Sequence, residues 1–171
     1  MVSKKNILVI GGAGYIGSHV TCEICDNNYN VTDLDDLSSE FRDNVDHRAK
    51  FIEGSFADMS LLDKVLDGTD AVVHLAALKA AGESMIRPDI YSEKNIIQSI
   101  LLINKCVEKK VKKFIFSSTA AVYGYPVYLP INESHPLNPI NYYGFTKMVI
   151  EKHLGWQNKI SNIKIACLRY F

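Results

Sequence analysis

The stretch Gly11-Gly12-Ala13-Gly14-Tyr15-Ile16-Gly17 (GGAGYIG) decides the fold. Before it, Asn6 to Ile10 is a short apolar run. After it, Tyr15 to Asp26 carries Ile16, Val20 and Ile24 on one helical face, so the glycines make the turn of a strand-turn-helix unit. Glycines permit a tight turn and let the backbone approach a phosphate at the positive end of the helix that follows. A purely structural glycine turn is the alternative reading, and the next strand weighs against it.

That strand is expected over Tyr29 to Leu34 and ends at Asp35 and Asp36, roughly 20 residues past the loop, where a dinucleotide fingerprint places its acid. A carboxylate there accepts hydrogen bonds from the adenosine ribose and repels a 2'-phosphate, so NAD is expected rather than NADP. Further strands are expected at Lys50 to Glu53, Ala71 to Leu75, Lys113 to Ser117 and Ile163 to Leu168. Helices are expected at Ser60 to Leu66 behind a serine cap, at Pro88 to Glu108, and at Pro139 to Trp156. The alternation predicts an α/β fold: a doubly wound parallel sheet, Rossmann-like, of six or more strands with helices on both faces. The proline- and asparagine-rich loop Tyr123 to Pro139 is expected to lie over a site.

In NYYGFTK, residues 141 to 147, Tyr143 and Lys147 are four apart and share a helical face, whereas Tyr142 is rotated away to pack or meet solvent. An ammonium beside a phenol favours phenolate, which equips Tyr143 as a general base on an alcohol. Gly144 between them is expected to allow close approach of cofactor or substrate. A solvated Tyr-Lys pair is the alternative; the dinucleotide context weighs against it.

The 171 residues suffice for one domain with a real core. Nineteen basic and 19 acidic residues cancel, which leaves no field to attract nucleic acid or an anionic membrane. No apolar run approaches membrane-spanning length, and Ile7 to Ile10 is too short for a signal peptide. Lys109, Lys110, Lys112 and Lys113 read as a solvated helix end. Cys22, Cys25, Cys106 and Cys167 suit a reducing, cytoplasmic compartment. Cys22 and Cys25 have redox-motif spacing but fall inside the first helix, which favours reduced packing residues. The histidines lack metal-ligand spacing, and no metal site is expected.

GGAGYIGSH, HLAALKAAGES, FIFSSTAAVYG, YYGFTK and the terminal LRYF together resemble, in order along the chain, the extended short-chain dehydrogenase/reductase family and its NAD-dependent epimerase/dehydratase branch. The resemblance implies interconversion of UDP-galactose and UDP-glucose by transient oxidation at sugar C4, with a UDP-hexose as substrate. Tyr143 is then base and later acid. Lys147 lowers its pKa and binds the nicotinamide ribose, and Thr119 hydrogen-bonds the sugar 4-oxygen.

For the cofactor, the resemblance implies the turn of Gly11, Gly12, Gly14 and Gly17, with the amides of Tyr15 and Ile16 on the pyrophosphate. Asp35 and Asp36 hold the adenosine end, and Ser55 and Phe56 flank the adenine. Leu75, Ala76, Ala77 and Lys79 line the cofactor with Asn95 nearby, and Phe171 lies close to the nicotinamide amide. Ala120 and Ala121 stand where related 4,6-dehydratases carry an Asp-Glu pair, so dehydration lacks its acid.

The chain departs from the family at Gly54-Ser55, where Gly-Asp is usual and the charged acceptor for the adenine amino group is lost. Gln98 stands at a usual glycine, and Asp33 puts a charge in a buried strand. The resemblance also implies a smaller C-terminal substrate domain absent from this chain, leaving residues 1–171 as the NAD-binding domain. The helices 88–108 and 139–156 resemble those of the family's intersubunit four-helix bundle, which implies a homodimer. Three readings stand: an epimerase or its cofactor-binding part, a non-catalytic NAD-binding module, and a dimeric scaffold.

Overall fold

In the computed structural model, which describes residues 4–171, six strands form one parallel sheet in the order β3-β2-β1-β4-β5-β6. They are β1 (Asn6–Ile10), β2 (Asn30–Asp35), β3 (Lys50–Glu53), β4 (Ala71–His74), β5 (Lys113–Thr119) and β6 (Lys164–Tyr170). The helices are α1 (Tyr15–Asp26), α2 (Met59–Val65), α3 (Ala81–Ile86), α4 (Pro88–Tyr91), α5 (Gln98–Glu108) and α6 (Tyr142–Ile160). The order reverses between β1 and β4, and the crevice beyond the carboxyl ends of those two strands is where such sheets bind ligands. This is the doubly wound, Rossmann-like architecture that the strand-helix alternation predicts.

Parallel strands covered on both faces need apolar residues on both, and all of β4 is buried. On one face Leu8, Ile10, Val72, Phe114 and Phe116 pack with Leu62, Leu102, Ile103, Ile150 and Leu154 from α2, α5 and α6. On the other, Val9, Val31 and Val73 pack with Val20 and Ile24 of α1. Truncating a fully buried residue such as Leu102 to alanine costs roughly 2–5 kcal/mol, since transfer and cavity terms add.

Several local expectations are corrected. The cap of α2 is Asp58, not Ser60: its Oδ1 accepts from the amides of Ser60 and Leu61 at 2.9 and 3.1 Å, and the carboxylate faces the positive helix end. The helix expected from Pro139 starts at Tyr142, because the Asn141 side chain accepts from Gly144 N–H at 2.7 Å and fixes the start there. It also runs on to Ile160.

The long helix from Pro88 is not uniform. Its middle, Ser92–Ile97, is π-helical, and one wide turn joins α4 to α5. The lysine cluster is partly ion-paired rather than merely solvated: Lys109 meets Asp63 at 3.1 Å and Lys112 meets Asp70 at 2.8 Å.

Candidate functional site

A cleft of about 530 Å³ opens over the carboxyl ends of the strands. At one end is the glycine loop. Gly11 has φ +87, and a Cβ on Gly17 would strike the Gly11 carbonyl, so α1 can begin this close to β1 only with glycine. Gly14 caps α1 without a side-chain bond, leaving the first-turn amides directed at the cleft. Gly11, Gly14, Tyr15, Ile16 and Gly17 all line it.

Gly12 does not line the cleft. Its missing Cβ makes room for Asp33 beneath the loop. Asp33 is fully buried on β2, accepts from Thr21 Oγ1 at 2.8 Å and leaves its second oxygen without a partner. Burial pushes its carboxyl up to about 6, against the lowering Thr21 bond. The charge in the strand is thus accommodated by a threonine from α1 and by the glycine above it.

Asp35 and Asp36 both line the cleft beside Ser55 and Phe56. The Asp35 carboxylate already holds the backbone, accepting from Ala13 N–H at 3.1 Å and Leu37 N–H at 2.9 Å, while Asp36 accepts from Ser38 N–H at 3.0 Å. Leu75, Ala76, Ala77 and Lys79 form a further wall. Asn95 stands behind that wall: its carboxamide accepts from Leu78 N–H and donates to Leu78 C=O, both at 2.9 Å.

Tyr143 and Lys147 line the other end, with Ser117. Lys147 is buried, and its Nζ donates to the Ser117 carbonyl at 2.9 Å and sits 4.8 Å from the Phe116 ring centroid and 5.8 Å from that of Tyr143. With no carboxylate nearby, burial pulls its pKa down to about 7. The expected lowering of Tyr143 by Lys147 is not what the geometry gives. Burial raises the Tyr143 phenol, the nearby Thr119 acts in the lowering direction, and the lysine is directed at a carbonyl instead.

Thr119 stands near Tyr143 without lining the cleft, and accepts from Ala121 N–H at 3.2 Å. Tyr142 is turned away as expected, and its hydroxyl meets Ser92 Oγ at 2.6 Å. Gly144 serves packing rather than ligand approach. A Cβ there would lie 2.6 Å from the Ala121 carbonyl, so glycine lets α6 sit against the turn after β5. Phe171 lies outside the cleft, 88% exposed, its ring stacked on Tyr123 at 6.1 Å.

The cleft also contains Ser38, Ser39, Glu40, Lys94, Gln98 and Ser117, which sequence reasoning did not assign to a site. Of these, only Gln98 carried a signal, as a side chain where a glycine is usual; Lys94 shares its face one turn earlier. Among the described residues no cluster of His, Cys, Asp or Glu is arranged to hold a metal ion.

Residues 7–171 match the model of the NAD dependent epimerase/dehydratase family. The chain is 46% identical over 167 residues to the UDP-glucose 4-epimerase of Lactobacillus helveticus, covering 96% of this chain and 51% of that protein. Its fold is similar to the crystal structure of UDP-glucose 4-epimerase from Brucella ovis in complex with NAD (TM-score 0.94, 36% identity, 98% of this chain and 52% of that one). It is also similar to UDP-N-acetylglucosamine 4-epimerase from Methanobrevibacter ruminantium (TM-score 0.92, 34% identity, 99% and 56%). The chain spans about half the length of the curated relatives it matches. A match over nearly all of the described residues, on a sheet whose glycine loop and Tyr-Lys pair face one cleft, means that the chain belongs to the NAD-dependent epimerase/dehydratase family.

Proposed function

We propose that this chain is the NAD-binding domain of a nucleotide-sugar 4-epimerase that interconverts UDP-galactose and UDP-glucose, the substrate domain being formed by a C-terminal part. The observation that carries this reading is the presence of Tyr143 and Lys147 in the same cleft as the glycine loop. The residues fit NAD. Uncapped amides at the start of α1 suit a pyrophosphate, Asp35 and Asp36 stand where the adenosine ribose is read, and the volume is that of a small-molecule site. When bound, NAD supplies the reversible oxidation at sugar C4.

The chain's own part is proton transfer and orientation. Tyr143, half enclosed with Thr119 nearby, takes the proton of the sugar 4-hydroxyl and returns it to the 4-oxygen in the second half of the turnover. Thr119 hydrogen-bonds the sugar 4-oxygen. Lys147, its Nζ held on the Ser117 carbonyl at the edge of the cleft, is placed to bind the nicotinamide ribose. Ala120 and Ala121 offer no further acid, which favours epimerisation over loss of water.

Formation of UDP-glucose from UDP-galactose with NAD, in the 171-residue chain and in the full-length protein that contains it, tests the reading. Tyr143→Phe should reduce turnover at least about 1,000-fold while leaving NAD binding intact; an active Tyr143→Phe protein refutes the role. N-acetylated UDP-hexoses are a second substrate reading, supported by the similarity to the Methanobrevibacter enzyme. The free state of all four cysteines fits the proposed reducing, cytoplasmic setting, and no helix among the described residues is long and apolar enough to cross a membrane.

A further inference from the structure

We propose that Gln98 reads the adenine edge of the dinucleotide, a contact that rests on the NAD reading above. Gln98 opens α5 directly after the π-helical turn, is half-buried and lines the cleft; its carboxamide has no hydrogen-bond partner among the described residues. The position along the cleft follows from its neighbours. Asp35 and Asp36 mark the adenosine ribose, and the wall adjoining them is Gly54, Ser55 and Phe56, with Gly54 N–H donating to Asp35 C=O at 2.9 Å.

From that wall a chain of contacts leads to α5. The Phe56 ring packs edge-on to His74 at 5.0 Å, and His74 Nε2 pairs with Ser99 Oγ at 2.9 Å. Gln98, next to Ser99 at the start of α5, lines the same cleft as Phe56. Ile10, Leu34 and Leu75 supply an apolar lining for a flat base there. A carboxamide presents one donor and one acceptor side by side, which matches the amino group and ring nitrogen of adenine, a pairing that glutamine makes elsewhere. Ser55 carries no charge for this purpose, and its hydroxyl accepts from Ala57 N–H at 3.2 Å.

The test is calorimetric titration of wild-type protein and Gln98→Leu with NAD, AMP and nicotinamide mononucleotide. The expected result is a loss of roughly tenfold in affinity for NAD and AMP together, with nicotinamide mononucleotide unchanged. Gln98→Met gives the same readout should the leucine variant fold poorly. Unchanged AMP affinity in a protein that binds NAD overturns the contact alone, as does an equal loss for nicotinamide mononucleotide, which would place Gln98 at the other end. A wild-type protein that binds no NAD overturns the cofactor reading, and this contact with it.

Discussion

Lys147 is enclosed with one carbonyl and two aromatic rings, and that burial pulls its pKa down to about 7. The ordinary value is 10.5, so between pH 7 and 10.5 the unfolded chain holds a proton that the folded chain has released. Stability therefore rises with pH across that window, and the full cost is present below pH 7. Lys147→Met should stabilise the fold at pH 6 by on the order of a few kcal/mol while lowering turnover about 100-fold. Thermal melts beside rate measurements check it, and a less stable variant would show that the lysine contributes to folding.

Asp33 titrates with the opposite consequence for pH. Its folded value of about 6 lies above the ordinary 3.8, so stability is full below pH 3.8 and falls as pH rises through 6, by on the order of 2–3 kcal/mol. The groups facing it are Thr21, Asp35, Asp46 and Arg42. Asp33→Asn keeps an acceptor for Thr21 and stays neutral, so its stability between pH 4.5 and 7 should be flatter than that of the wild type. Parallel slopes in chemical denaturation would assign the effect to other groups.

At the scale of elements, the glycine loop, the acid after β2 and the parallel sheet were legible because each depends on a pattern local in sequence: glycine spacing, apolar runs and strand-helix alternation. What stayed hidden depends on contacts across the fold. Ser60 and Asp58 are equally good caps on paper, and only the backbone path selects Asp58. The π-helical turn has no pattern of its own, yet within it Asn95 meets Leu78 from 17 residues away. The role of Gly144 is likewise set by the distant Ala121 carbonyl.

Asn95 thus holds the wall 75–79 in place rather than entering the cleft. Asn95→Ala removes both bonds to the Leu78 peptide and leaves it partly unsatisfied, at a cost of roughly 1–3 kcal/mol. The expected outcome is faster amide exchange at Leu78 and NAD affinity reduced about tenfold, with exchange in β1 unchanged. Native exchange at Leu78 in the variant would return Asn95 to a direct ligand role.

For the whole molecule, the sheet explains where the cleft lies, and the homodimer implied by the family resemblance of the outer helices can be tested on their exposed residues. Ile97, Leu101, Phe145 and Trp156 are exposed on the π-helical segment, α5 and α6. Ile97 and Leu101 are four apart, hence on one face. The helices are tied side by side by Tyr142 to Ser92 at 2.6 Å and by Gln157 to Asn104 at 3.3 Å. Two such pairs meeting about a two-fold axis would make a four-helix bundle in which each patch covers its twin. In such a bundle a charge placed at Leu101 would be buried against the partner without its water. Leu101→Glu should therefore shift the protein from dimer to monomer in light scattering at micromolar concentration, and leave NAD affinity within about twofold because Leu101 is not part of the cleft wall. A wild-type monomer at the same concentration removes the dimer and leaves the proton chemistry of Tyr143 untouched. A dimer that survives the glutamate places the interface elsewhere on the surface.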